Sequence, residues 1–217
     1  MTFDDRSHAG DLLADAVRER LGPAQAGERR VVLGLPRGGV PVAARVAEAL
    51  RAPLDVLVVR KLGAPGHEEY AIGAIASGGA KTLDAGAVAR LGIDDATLAD
   101  LEARERAELA ARERRFGRDG DRPEVEGATV VVVDDGVATG STVRAALAAL
   151  RQRRPARVVV AVPLAPADTL ARLRREADDV VCLDVPEPFY AVGQGYASFE
   201  QVSDDEVARI LAAARRR

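Results

Sequence analysis

Residues 130–142 read VVVVDDGVATGST, with two adjacent carboxylates, Asp134 and Asp135, at the end of a four-valine run. The valines read as a buried strand. The residues from Ser141 onward read as a helix, so residues 136–140 join a strand's carboxyl end to a helix N-terminus. A helix N-terminus offers unpaired amides and a partial positive charge, the natural seat of a phosphate. Thr139, Ser141 and Thr142 add hydroxyl donors, and Gly136 and Gly140 allow tight turns with close backbone approach. Two carboxylates aimed at that phosphate would repel it, so they suit hydroxyls of the same ligand or a divalent cation. One phosphate plus vicinal hydroxyls describes a ribose 5-phosphate. No lysine follows Gly140, which excludes a P-loop, and the glycine spacing of a dinucleotide-binding turn is absent.

The elements that must position these groups follow from periodicity. Apolar runs at 29–35, 53–60, 128–135, 157–164 and 179–185 read as strands, and residues 71–79 begin as another. Residues 6–22, 41–50, 141–152 and 167–177 have helical spacing, and Ser203 caps a further helix at the chain's end. Unbroken Val/Leu strands alternating with helices predict an α/β fold: a central, mainly parallel sheet with helices on both faces. Residues 61–70, KLGAPGHEEY, read as a loop punctuated by glycine and proline, and residues 94–115 as a long helix with a solvated charged face. The expectation is one domain over 1–217, with residues 80–127 and 186–200 forming a hood or lid over the sheet's carboxyl edge.

Composition narrows the function. A net charge of −3 argues against nucleic-acid binding by a general basic field, and an aromatic content of 3% against a base-stacking platform. The lone cysteine, Cys182, excludes an intrachain disulfide and any multi-cysteine metal site. No apolar run has the length of a membrane span, and the first residues lack a signal-peptide pattern, so a cytoplasmic location is the default expectation.

The 130–142 segment resembles the signature of the type I phosphoribosyltransferases, in which four apolar residues and two acids precede a loop ending Thr-Gly-Ser-Thr. By that resemblance, Ala138, Thr139, Gly140, Ser141 and Thr142 take the 5-phosphate of phosphoribosyl pyrophosphate (PRPP). Asp134 and Asp135 take the ribose hydroxyls. Hypoxanthine-type members carry a further aspartate where Ala138 stands here, so a base-assisted step at that position is unavailable. GLPRGGVPVA (34–43) resembles the family's pyrophosphate loop, matching Arg37, Gly38 and Gly39, and implies an unusual cis peptide near Pro36–Arg37. VVRKLGAPGHEEYAIGAI (58–75) resembles the second strand and mobile catalytic loop. There Arg60 and Lys61 face pyrophosphate, and His67 and Glu68 are the loop's acid/base groups. PFYAVGQGYASF (188–199) resembles the family's hood, which puts Tyr190, with Phe189 as the alternative, against the base; an acidic residue of the family falls near Ala197 and is missing.

The resemblance implies transfer of the 5-phosphoribosyl group from PRPP to a nitrogenous acceptor, a nucleobase, with release of pyrophosphate. Asp134, Asp135, Lys61 and Arg37 are the catalytic candidates. Mg²⁺ is the implied cofactor, bridging pyrophosphate and ribose hydroxyls, with Asp134 and Asp135 as the carboxylates within its reach. No nucleic-acid or membrane partner is expected, and a homodimer is, since dimers are the commonest outcome for soluble enzymes. Two other classes remain open: a regulator that senses PRPP or nucleotides without catalysis, and a pyrophosphokinase that makes PRPP.

Overall fold

The computed structural model describes residues 1–116 and 122–216, apart from the side chains of Glu68 and Glu69. Five strands, β1 (Arg30–Gly34), β2 (Leu54–Val56), β6 (Thr129–Val133), β7 (Arg157–Leu164) and β8 (Asp179–Asp184), form one parallel sheet in the order β2-β1-β6-β7-β8. The unbroken valine runs follow from burial on both faces. On one face Val32, Val131, Val133, Val159 and Ala161 join the core under α1 (Arg6–Leu21), α2 (Gly39–Leu50) and α7 (Asp204–Ala214). The alternate residues Val31, Leu33, Val130, Val132, Val158 and Val160 pack beneath α5 (Ser141–Arg151) and α6 (Ala167–Glu176) on the other.

The chain goes from β1 outward to β2, then returns to β6 beside β1 and proceeds the other way to β8. The strand order therefore reverses between β1 and β6. In open parallel sheets ligands gather beyond the carboxyl ends of the strands at such a reversal. Both segments singled out by residue type, 34–43 and 130–142, leave the sheet there.

Two local expectations are corrected. Residues 53–60 do not make one strand: β2 ends at Val56, and the chain leaves the sheet through Leu57 and Val58. Ser77 stitches it there, its Oγ accepting from the Val58 amide at 2.9 Å and its amide donating to the Val58 carbonyl at 2.8 Å. Residues 61–70 are not a loop but most of a hairpin, β3 (Val59–Ala64) and β4 (His67–Ala76), extended by β5 (Lys81–Leu83) into a second, antiparallel sheet. Only Pro65 and Gly66 turn, Gly66 with φ 75°, a two-residue hairpin connection. The hairpin forms because Leu62, Ala64, Ile72 and Ile75 bury one face against Leu101, Leu109 and Phe116, from α4 (Asp95–Arg115) and the residue after it. Of the stretch 80–127, residues 117–121 lie outside the described ones; β5, α3 (Ala85–Arg90) and α4 pack around this hairpin. Among the described residues no helix is long and apolar enough to cross a membrane.

Candidate functional site

Helix capping differs around the molecule. Helices α1, α3, α4 and α7 begin at Asp5, Asp84, Asp94 and Ser203, whose side chains accept from first-turn amides. Helices α2 and α5, the two that start at the sheet reversal, begin at Gly38 and Gly140 with no side-chain cap, and α6, starting at Pro166, also lacks one. At α2 the Gly39 and Val40 amides turn back onto the Leu35 and Arg37 carbonyls at 3.0 and 3.1 Å, and at α5 the Ser141 amide has only a long contact, 3.4 Å, to the Thr139 hydroxyl. Gly140 has φ 78°, the left-handed conformation that favours glycine. The preceding loop is pinned from behind: Val137 donates to the Leu164 carbonyl at 2.9 Å, and the Thr169 hydroxyl donates to the Ala138 carbonyl at 2.8 Å. Its front is open, with Ala138, Thr139 and Thr142 exposed and the Thr139 and Ser141 hydroxyls 3.2 Å apart.

The acids lie directly against the other glycine loop. A Cβ on Gly38 would fall 1.9 Å from Asp135 Oδ2, and one on Gly39 would fall 2.7 Å from the Val133 carbonyl oxygen. The expected cis peptide is present between Pro36 and Arg37. Asp134 keeps a little exposed surface but is enclosed by protein on most sides. That dehydration, followed by the charge of Asp135, raises its carboxyl well above the ordinary carboxylate range. Asp135 is held by Arg6, whose Nε donates to Oδ2 at 2.7 Å.

The hood closes over these groups. Val192, in the short 3₁₀ turn Val192–Gly195, lies so near Gly136 that a Cβ there would meet its Cγ1 at 2.4 Å. The Tyr196 hydroxyl donates to the Asp135 carbonyl, and burial, then the charge of Asp135, raises the phenol above its usual value. Gln194 shapes the turn before it, accepting from the Tyr190 amide at 2.6 Å and donating to the Pro188 carbonyl at 3.0 Å.

The remaining residues singled out in the sequence divide. Lys61 lines a cavity of about 420 Å³ together with Gly73, Asp84, Ser141 and Arg144, so it shares a groove with the start of α5. Arg60, one position along the strand, points the opposite way and donates to Glu105 of α4 at 2.9 Å. Arg37 is part-exposed, its nearest acid Asp204 Oδ1 at 3.7 Å. His67 is exposed at the first position of β4, and among the described residues no contact joins it to the acid pair; the side chain of Glu68 lies outside the described ones. Tyr190 is 82% exposed, whereas Phe189 packs on the cluster of Phe3, Leu164 and Tyr196. Sequence reasoning missed Arg6, which carries no local signature, and the contact of Tyr196 with Asp135, for which an aromatic in the hood segment was the only signal.

The acid pair does not make a metal site by itself. Burial and the neighbouring charge of Asp135 push the Asp134 carboxyl upward, Asp135 already carries Arg6 on one oxygen, and no cluster of three or more His, Cys, Asp or Glu suited to a metal occurs among the described residues. A magnesium ion here would have to bring most of its ligands with it.

A family model described as "Phosphoribosyl transferase domain" matches residues 6–198. Two Mycobacterium tuberculosis proteins, from strains CDC 1551 and H37Rv, carry a provisional phosphoribosyl transferase name and are 49% identical over 214 residues. The match takes in 99% of this chain but only 47% of each relative, so the chain spans about half their length. The crystal structure of TT1426 from Thermus thermophilus is 47% identical, with a TM-score of 0.86 over 98% of this chain and 99% of that one. The AQ2163 protein of Aquifex aeolicus, at 15% identity and a TM-score of 0.51 over 87% of this chain and 78% of its own, shares the fold.

Proposed function

The chain belongs to the phosphoribosyl transferase family, and from that premise we propose that it transfers the 5-phosphoribosyl group of PRPP to a nucleobase and releases pyrophosphate. The observation that carries this reading is the meeting, at the reversal of the strand order, of the carboxyls of Asp134 and Asp135 with the Gly38–Gly39 start of α2, in the segment that leads on to the uncapped start of α5 at Gly140. In this reading the amides of residues 138–142 and the hydroxyls of Thr139, Ser141 and Thr142 hold the 5-phosphate. The acid pair holds the ribose hydroxyls. The uncapped start of α2, with Arg37, Gly38 and Gly39, receives pyrophosphate, with Lys61 adding charge from the hairpin side.

The C1–O bond to pyrophosphate breaks and a C1–N bond to the acceptor forms, through a sugar with positive charge developing at C1. Charge stabilisation and orientation supply most of the rate. Ala138 offers no proton acceptor, so the acceptor nitrogen loses its proton to pyrophosphate or water. A magnesium ion brought in with PRPP would supply charge neutralisation for the departing pyrophosphate, with the Asp134 and Asp135 carboxyls the protein groups to hold it. Tyr190, exposed on the hood, is the ring offered to a flat base. The hairpin with α4 behind it, and the 186–200 segment, are the parts proposed to shelter the reaction from water, within a single domain that works in the cytoplasm as a homodimer.

The test is calorimetry with PRPP and Mg²⁺, followed by incubation with a panel of purine and pyrimidine bases and assay of released pyrophosphate. Binding followed by base-dependent pyrophosphate release supports the reading. Binding without release with any base assigns the chain to the sensing class, and no binding removes PRPP from the site altogether.

A further inference from the structure

The proposed reaction leaves unused one charged side chain that reaches the acid pair. Arg6 is the first residue of α1, and its side chain is only 12% exposed. Three contacts fix its guanidinium: Nε donates to Asp135 Oδ2 at 2.7 Å, Nη1 donates to the Glu200 carbonyl at 2.6 Å, and Cζ lies 4.0 Å from the centre of the Phe199 ring. The start of the chain is itself tied to the hood. Phe3 is buried and bridges to Tyr196, donating to the Gly195 carbonyl at 2.8 Å and accepting from the Ala197 amide at 2.8 Å, with the two rings 5.5 Å apart. Tyr196 stacks in turn on Phe199 at 4.9 Å.

We propose that Arg6 is a positioning residue of the ribose site, holding the Asp135 carboxylate in the orientation that receives the sugar's hydroxyl and making that orientation depend on the hood. The proposal rests on the PRPP reading above. A guanidinium with three separate anchors has one geometry. A carboxylate that accepts from its Nε is therefore fixed in rotation as well as in place. The same positive charge compensates one of two adjacent acids, which otherwise repel each other in a dehydrated crevice. Because the anchors of Arg6 lie at Phe199 and Glu200, a displaced hood withdraws the group that orders Asp135. The alternative is a gate, in which Arg6 occupies Asp135 and must be displaced by the sugar; the three anchors favour a fixed support.

The experiment is a double-mutant cycle on the affinity for PRPP with Mg²⁺, read by calorimetry on wild type, Arg6→Ala, Asp135→Asn and the pair, with a thermal melt of each. Losing one hydrogen bond to a charged group weakens binding roughly tenfold or more, so Arg6→Ala and Asp135→Asn are each expected to weaken PRPP by at least about that factor. If Arg6 acts through Asp135, the double variant binds within about twofold of Asp135→Asn, a failure of additivity that a merely structural residue does not produce. Guanidinium ion, well below denaturing concentrations, should restore part of the affinity of Arg6→Ala and none of Asp135→Asn. Additive losses, or an Arg6→Ala affinity equal to wild type, overturn the proposal while leaving the PRPP reading intact. Tighter binding by Arg6→Ala overturns it in favour of the gate. No PRPP binding by wild type defeats the underlying reading instead. Should Arg6→Ala fail to fold, Arg6→Lys keeps the charge but loses the fork, and an affinity equal to wild type in that variant refutes the proposal.

Discussion

Replacing Gly38 with alanine adds one methyl group at the point where the Arg37–Gly39 loop touches the acid pair. The backbone there, φ −60° and ψ −32°, is ordinary right-handed helix, so alanine meets no conformational penalty. The cost is steric and local. The new Cβ falls 1.9 Å from Asp135 Oδ2 and 2.5 Å from its Cγ, and no backbone atom is among the three nearest. The carboxylate must swing aside, and in swinging it leaves the Arg6 Nε, now 2.7 Å away.

The magnitudes separate two effects. Breaking a hydrogen-bonded pair whose side chains are 12% and 14% exposed costs about 1.5–3 kcal/mol, from which Gly→Ala at a compatible position returns about 0.4–1 kcal/mol. For a chain of this size each kcal/mol shifts Tm by about 2–4 °C, so the Tm should fall by only a few degrees. If Asp135 binds a ribose hydroxyl, losing that charged hydrogen bond costs a further ~1.5–3 kcal/mol of PRPP affinity, roughly 10- to 150-fold in Kd. Gly39→Ala is the comparison one residue away. Its Cβ would meet main chain instead, the Val133 carbonyl at 2.7 Å and Asp134 Cα at 2.8 Å, so strand and loop must part at a cost of about 1–3 kcal/mol in stability. Calorimetry with PRPP and Mg²⁺, beside thermal melts, reads both. A Gly38→Ala protein that binds PRPP as wild type does would refute the placement of Asp135 in the ribose site.

Three further outcomes are expected. Lys61→Ala should weaken PRPP about tenfold, most strongly at low salt, whereas Arg60→Met should leave affinity within about twofold because Arg60 is committed to Glu105; titrations at two ionic strengths compare them, and the reverse order would move the pyrophosphate contact to Arg60. Because the folded chain raises the Asp134 carboxyl, the native state keeps a proton that the unfolded chain gives up above the ordinary carboxylate range. Its contribution to stability therefore falls as pH rises above about 4, and Asp134→Asn should flatten that fall in denaturant unfolding; parallel profiles would contradict the burial of this acid. Gly140→Ala, at φ 78° and with its Cβ 3.0 Å from Thr169 Cγ2, should cost about 1–2 kcal/mol of stability and weaken ribose 5-phosphate binding, measured by unfolding and calorimetry.

What the sequence made legible, and what it hid, follows from the range of each interaction. The four valines before Asp134 announced a strand buried on both faces because every position there meets a core. The small, hydroxyl-rich loop announced the uncapped turn into α5 because the residues that make it lie within a short segment. The hairpin was hidden by punctuation: glycine and proline at 63, 65 and 66 suggested a loop, yet only residues 65 and 66 turn while Leu62 and Ile72 carry the strands' burial. Once residues 59–64 are a strand, alternation sends Arg60 and Lys61 to opposite faces, Arg60 toward Glu105 and Lys61 toward Ser141 and Arg144. Arg6 was illegible for another reason. Its partner lies 129 residues away, and one arginine among many carries no local pattern.

Asp135 shows why that last residue matters to the rest. Three segments distant in sequence converge on it: Gly38 beneath the carboxylate, Arg6 on its oxygen, and Tyr196 on its carbonyl. The first caps α2, the second opens α1 and the third follows the 3₁₀ turn Val192–Gly195. A side chain on Gly38 would expel the carboxylate, so the close approach of the two loops requires glycine at that position for space, not for backbone freedom. The hood's hold on the Asp135 main chain and the first helix's hold on its side chain are joined through Phe3, Tyr196 and Phe199. A hood displaced by a base would thus act on the ribose site through Asp135, and PRPP and base should influence each other's affinity even where they do not touch.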